Sequence, residues 1–152
     1  MFNPQQTRRV LVITNETADG AVLHETILIS ASHPRTEVLV VAPALNSRLR
    51  HWLSDSDAAH AAAELRLERC VGRLRAEGVD AAGQVGDGDP ILAIEDALVT
   101  FAADELIVAT HPPERSNWLE RELVEHACAR FSLPVIHVVV DGEVAHHLEL
   151  AA

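Results

Sequence analysis

The stretch "DELIVATHPPERSNWLERELVEHACARFSLPVIHVVVD", residues 104–141, decides the fold. It opens on a short apolar run from Leu106 to Ala109 and passes into a loop of turn-forming and polar residues. A charged stretch with helical spacing follows, and the segment closes on the strong strand signal from Val135 to Val140. Strand, loop, helix and strand in that order make the βαβ building block of a parallel sheet. In open α/β sheets the loop at the carboxyl end of such a strand is where ligands bind. "THPPERSNW" is therefore the first place to look for function.

The same pattern extends back towards the start. "RRVLVIT" is a continuous apolar run, as expected of a central strand covered on both faces. A helix is predicted over roughly 18–31, with Leu23, Ile27 and Ala31 on one face and Val22, Thr26 and Ile29 beside it. Pro34 ends it by disfavouring helical geometry at His33. "TEVLVVAP" is a second buried strand. "ALNSRLRHWL" reads as a short turn or lid carrying Arg48, Arg50 and Trp52, and Ser54 caps the long second helix. Ala63, Leu67, Cys70, Val71 and Leu74 form that helix's apolar stripe, and Gly78 is placed to end it in left-handed geometry. "VDAAGQVG" alternates, which predicts a half-exposed strand at a sheet edge. Asp89 and Pro90 open a third helix with Ile91, Ile94, Leu98 and Phe101 as its buried stripe. "ADELIVAT" is the fourth strand, Asn117 caps the fourth helix, and the fifth strand opens at Pro134. "DGEVAHHLELAA", residues 141–152, reads as a polar, frayed tail. The result is βαβαβαβαβ, a single α/β domain over 1–152 with a doubly wound five-stranded parallel sheet.

The totals narrow the function. The chain has 152 residues and a formal net charge of -11, and all 12 basic residues are arginine. An acidic surface argues against nucleic acid and anionic membranes as partners. The absence of lysine excludes Schiff-base chemistry and a P-loop. "MFNPQQTRRV" has no apolar signal region, so a cytoplasmic location is expected. Cys70 and Cys128 lie far apart on helices that right-handed crossovers put on opposite faces, and both are expected to be free thiols. "GDGD" is explained by a turn and a helix cap, and the nine histidines are scattered apart from His146 and His147. No metal site is expected.

With these elements placed, the chain resembles the universal stress protein family, in its UspA-like single-domain form. The resemblance covers about residues 8–140. It rests on element order, on "LVVAPAL" at the second strand, on "GDGDPILAIEDAL" at the third helix and on "LIVATHPPERSNWLERELVEHACARFSLPVIHVVV". The last of these is similar to a subgroup common in actinobacteria. The family implies a Rossmann-like sheet in the order 3-2-1-4-5, two helices on each face, a role in the stress response and frequent homodimers. Its ATP-binding members carry a glycine-rich loop after the fourth strand. "ATHPPERSNWLERELVEHA" holds no glycine at all, and Pro112 and Pro113 have no amide to donate. The motif's closing Gly-Ser pair falls at Arg121 and Glu122, which sets an acid where a phosphate would lie. The family's adenine-reading Asp matches Asn15. The resemblance minus its motif thus disfavours ATP and AMP, and no cofactor is expected.

The implied strand order brings the ends of strands one and four together at the topological switch point. Thr14 and Asn15 then face Thr110 and His111 across a crevice, with Ala42 at the end of strand two. Arg115, Ser116, Asn117 and Trp118 start the fourth helix, where free amides favour an anion. Arg48 and Arg50 can close from the other loop. Three functional classes stay open at this point. The first is a non-enzymatic binding or regulatory module with a nucleotide-like or small anionic ligand. The second is an enzyme of the related nucleotide-binding α/β group acting on a phosphorylated small molecule, with His111 as acid or base and Arg115 on the phosphate. The third is a purely structural dimeric partner protein.

Strand five, "PVIHVVV", is the final strand of this reading and so is expected at a sheet edge. Pairing antiparallel with its own copy gives a twofold dimer with Val135, Ile136, His137, Val138, Val139 and Val140 at the interface. The family resemblance implies the same.

Overall fold

The computed structural model describes residues 6–14, 20–44, 56–112, 118–141 and 144–150, with 56–59, 118–121, 141 and 144–150 described as backbone alone. Ten elements follow one another: β1 Arg8–Ile13, α1 Ala21–Ser30, β2 Thr36–Pro43, α2 Ser56–Ala76, β3 Asp80–Gly86, α3 Pro90–Thr100, β4 Glu105–Thr110, α4 Trp118–Arg130, β5 Val135–Asp141 and β6 Val144–Leu150. The strands form one sheet in the order β3-β2-β1-β4-β5-β6. β1 to β5 run parallel, so the doubly wound order 3-2-1-4-5 is as expected, and β6 is antiparallel.

Continuous apolar runs became central strands because both sheet faces are covered. Val10 and Val12 of β1 lie with Leu23 and Ile27 of α1 and with Leu67, Val71 and Leu74 of α2. Leu11 and Ile13 lie with Ala93, Ile94 and Ala97 of α3 and with Leu123, Val124 and Ala127 of α4. Two helices therefore cover each face. Cys70 is buried on the first face, Cys128 packs against the second, and both are free thiols.

Local signals set the boundaries. α2 ends at Gly78, whose φ is 85°. Its amide donates to the Arg75 carbonyl at 3.0 Å, and the Val79 amide donates to the Leu74 carbonyl at 3.0 Å, which is a Schellman termination. α3 starts where the Asp89 carboxylate accepts from the Ile91 amide at 3.0 Å, with Pro90 in the first turn. The predicted caps at Ser54 and Asn117 lie outside the described residues.

Three expectations need correction. The stripe of α3 is centred on Ala93, Ile94 and Ala97, while Ile91, Leu98 and Phe101 are only partly buried. At Ala93 the helix comes close to the end of β3, where glycine leaves room for it. A Cβ added at Gly86 would sit 2.8 Å from the Ala93 Cβ. Ile29, placed beside the buried face of α1, is 74% exposed.

The third correction concerns the end of the chain. Residues 144–150 are not a frayed tail, and strand five is not an edge. β6 pairs with β5 along its whole length, from Val135 with Leu150 to Asp141 with Val144. β5 ends at Asp141 and β6 starts at Val144. An unpaired valine-rich edge is what β6 removes. With β4 on one side and β6 on the other, β5 offers no free backbone to a second copy.

Candidate functional site

The sheet order reverses between β1 and β4, whose registers match Val10 with Glu105 through Ile13 with Val108. The C-terminal ends of these two strands lie next to each other, and the next residues are Thr14 on one and Ala109 and Thr110 on the other. Both threonines are buried, Thr14 at 1% exposure and Thr110 at 3%. The Thr14 amide donates to the Val41 carbonyl at 3.0 Å, which ties the end of β1 to β2. Ala42 is fully buried near the end of β2. The Ala44 amide donates to the Gly86 carbonyl at 3.2 Å, so the ends of β2 and β3 are also locked. His111 is partly buried directly after β4, and Pro112 is buried. Thr14, Ala42, Thr110 and His111 thus belong to adjacent strand ends, as the sequence predicted. Asn15, Arg48, Arg50, Trp52, Arg115, Ser116 and Asn117 lie outside the described residues, and Trp118 is described only as the first residue of α4.

One contact at this end escaped the sequence reading. The Thr110 hydroxyl lies 2.7 Å from Nε2 of His137 on β5. The register pairs Val108 with His137 and Thr110 with Val139, so the contact runs diagonally across the ladder. Burial lowers the His137 pKa below the ordinary imidazole value. A neutral ring in its Nδ1–H form lets Nε2 accept the Thr110 proton. His137 was expected at a dimer interface. Its polar side chain inside "VIHVVV", two residues behind the partner of Thr110, was the only signal of this pairing.

Beside this end, a groove of about 560 Å³ lies between the starts of α3 and α4. Asp89, Glu122 and His126 are among its lining residues. Glu122 is an exposed carboxylate. Asp89 already caps α3 through the Ile91 and Leu92 amides. Two carboxylates and an occupied helix start make this side unfavourable to an anion. No group of three or more His, Cys, Asp or Glu among the described residues is placed to hold a metal ion.

The opposite end of the sheet is polar too, and several of its charged groups pair with one another. Glu105 is 8% exposed and accepts from Arg8 and from the Ser30 hydroxyl. Arg9 pairs with Glu37 at 3.1 Å, and its amide donates to Asp104 at 2.9 Å. These contacts tie α1, β1, β2 and β4 together. No helix among the described residues is long and apolar enough to cross a membrane.

No family model matches the chain, and no curated protein matches it by sequence. Solved structures share its fold. A universal stress protein from Archaeoglobus fulgidus superposes with a TM-score of 0.62 at 16% identity, over 86% of this chain and 92% of that one. A universal stress protein family protein from Arabidopsis thaliana, solved with AMP bound, superposes with a TM-score of 0.57 at 16% identity, over 90% of this chain and 94% of that one. The chain therefore has the fold of the universal stress proteins.

Proposed function

We propose that this chain is a binding and regulatory module of the universal stress protein kind. It works without catalysing a reaction and takes a nucleotide-like or small anionic ligand in the crevice between β1 and β4. The observation that carries this reading is the reversal of the sheet at Thr14 and Thr110, on a fold for which a protein with bound AMP is known. Buried threonines and a neutral His137 give the crevice a polar but uncharged floor. Arg48, Arg50 and Arg115, singled out by the sequence, are the residues proposed to supply positive charge to an anion. Glu122 and the missing glycines turn the site away from the triphosphate of ATP.

A homodimer belongs to this proposal as well. With β5 paired on both edges, β6 is the strand through which two copies would join.

The test is a thermal-shift panel of AMP, ATP, inorganic phosphate and phosphorylated metabolites. A ligand at 100 times its Kd stabilises by about 2.7 kcal/mol, a Tm rise of roughly 5–10 °C for a chain of this size. Arg115→Ala should weaken the best ligand about tenfold or more, the range for a charged hydrogen bond. A panel with no shift at all rejects the binding reading. Nucleotide turnover that disappears in His111→Ala would establish the enzyme instead.

A further inference from the structure

The far edge of the sheet presents a second surface, independent of the crevice. β3 pairs with β2 on one side only. Two hydrogen bonds show which of its backbone groups face outward. The Gly86 carbonyl accepts from Ala44, which follows β2, at 3.2 Å. The Ala81 carbonyl accepts instead from Nε of Arg75 on α2, at 2.8 Å. Successive residues of a strand direct their N–H and C=O to opposite sides. Ala81, Gly83 and Val85 therefore face away from β2. Arg75 occupies the Ala81 carbonyl, and the amides and carbonyls of Gly83 and Val85 have no partner among the described residues.

An open groove of about 560 Å³ runs between this edge and α2. Leu67 and Val71 give it an apolar wall, and Glu64 and Glu68 line its rim, Glu64 in contact with His60 at 3.1 Å and Arg75 held at the Ala81 carbonyl. Gly83 shapes it. A Cβ there would lie 3.1 Å from Cγ2 of Val71, so the glycine lets α2 approach and leaves the edge backbone bare. Nothing in β3 itself blunts the edge, since "DAAGQVG" has neither proline nor lysine.

We propose that this edge takes up an extended, basic segment of a partner protein as an added strand. The bare groups of Gly83 and Val85 specify an extended backbone. The Leu67–Val71 wall accepts apolar side chains at alternate positions. Glu64 and Glu68 lie on the same helix as that wall, so on a chain of net charge -11 they select lysine or arginine among the side chains that face α2, next to the apolar ones. The acidic rim also argues against a second copy of this chain. An antiparallel β3–β3 pair keeps both α2 helices on the same face and brings the two rims towards each other.

The probe is a short capped peptide in which valine and lysine alternate along one strand face, with threonine between them, carrying a fluorophore and titrated by anisotropy against the full chain. Its control replaces each valine by proline, which keeps the charge and bars strand formation. The lysine–valine peptide should bind at least tenfold more tightly than the control, and salt should weaken it. Hydrogen exchange should show new protection at the Gly83 and Val85 amides. Val85→Pro removes one outward N–H at a position where an edge strand tolerates proline, and should weaken binding tenfold or more. Glu64→Gln with Glu68→Gln should flatten the salt dependence. Equal binding of both peptides overturns the proposal, as does the absence of protection in the wild-type chain, which needs no variant to fold. Wild-type dimers that dissociate in Val85→Pro would assign the edge to a second copy and also overturn it.

Discussion

Replacing Gly86 by alanine sets a methyl group against α3 where the sheet and helix are closest. The added Cβ would lie 2.8 Å from the Ala93 Cβ and 3.0 Å from Cγ1 of Val41. Carbon atoms normally approach no closer than about 3.5 Å, so the overlap with Ala93 is about 0.7 Å. Ala93 is a fully buried helical residue and cannot rotate away, so α3 must shift outward. Overpacking of this kind costs about 1–3 kcal/mol. Lower entropy of the unfolded chain offsets about 0.4–1 kcal/mol of that. Taking the middle of each range, the net loss should be about 1.3 kcal/mol, a fall in Tm of roughly 3–5 °C. Gly72→Ala is the matched control. Gly72 lies inside α2, and an added Cβ meets nothing within 4 Å. Alanine should gain about 1 kcal/mol there from helix propensity alone. Urea unfolding followed by circular dichroism measures both. A double-mutant cycle of Gly86→Ala with Ala93→Gly should show a favourable coupling of about 0.5–3 kcal/mol. Gly86→Ala as stable as the wild type, or no coupling with Ala93→Gly, would refute the close approach of α3.

Other substitutions probe different parts of the molecule. Arg8→Ala leaves the Glu105 carboxylate with the Ser30 hydroxyl, and the loss of one charged hydrogen bond should cost about 1.5–3 kcal/mol in urea unfolding; a cost under about 0.5 kcal/mol would show that Glu105 does not need Arg8. The folded-state pKa of His137 lies below 6.5, so its neutral form supports stability above that pH and the support is lost as pH falls through the folded value. Unfolding midpoints should drop between pH 7.5 and pH 5, and His137→Gln should flatten that slope; an unchanged slope would remove His137 from the explanation. Truncation after Asp141 takes away β6 and bares the β5 edge, and should replace the dimer proposed through β6 by larger assemblies, seen by sedimentation, whereas a truncated chain with the size distribution of the full chain would count against that edge. Thiol titration should find Cys128 reacting faster than the buried Cys70 in the folded chain and two free thiols on unfolding.

The sequence signals that held were local ones. Asp89 before Pro90, Gly78 after Arg75, and the stripe from Ala63 to Leu74 each have a short-range cause and appear where they were expected. The positions of Thr14, Ala42, Thr110 and His111 at strand ends were legible for a related reason, since they fall at the ends of apolar runs. What failed depended on partners distant in the chain. β6 has weak strand character of its own, with His146, His147 and Glu149, and is stabilised as a strand by the valine run beside it. Gly142 and the apolar Val144, Leu148 and Leu150 were the signal that went unread. The α3 stripe moved to Ala93 and Ala97 because Gly86, on another element, fixes how close the helix lies. The Thr110–His137 contact needs the β4–β5 register, which no local pattern supplies.

The central claim is that the crevice between β1 and β4 holds a small anionic or nucleotide-like ligand in a way that does not suit ATP. Titration calorimetry of the wild-type chain with AMP, ATP and inorganic phosphate tests it most directly. Saturable binding of inorganic phosphate that weakens in Arg115→Ala is expected, with ATP and AMP weak or silent. Submicromolar ATP binding would contradict it, and so would the absence of heat from every ligand.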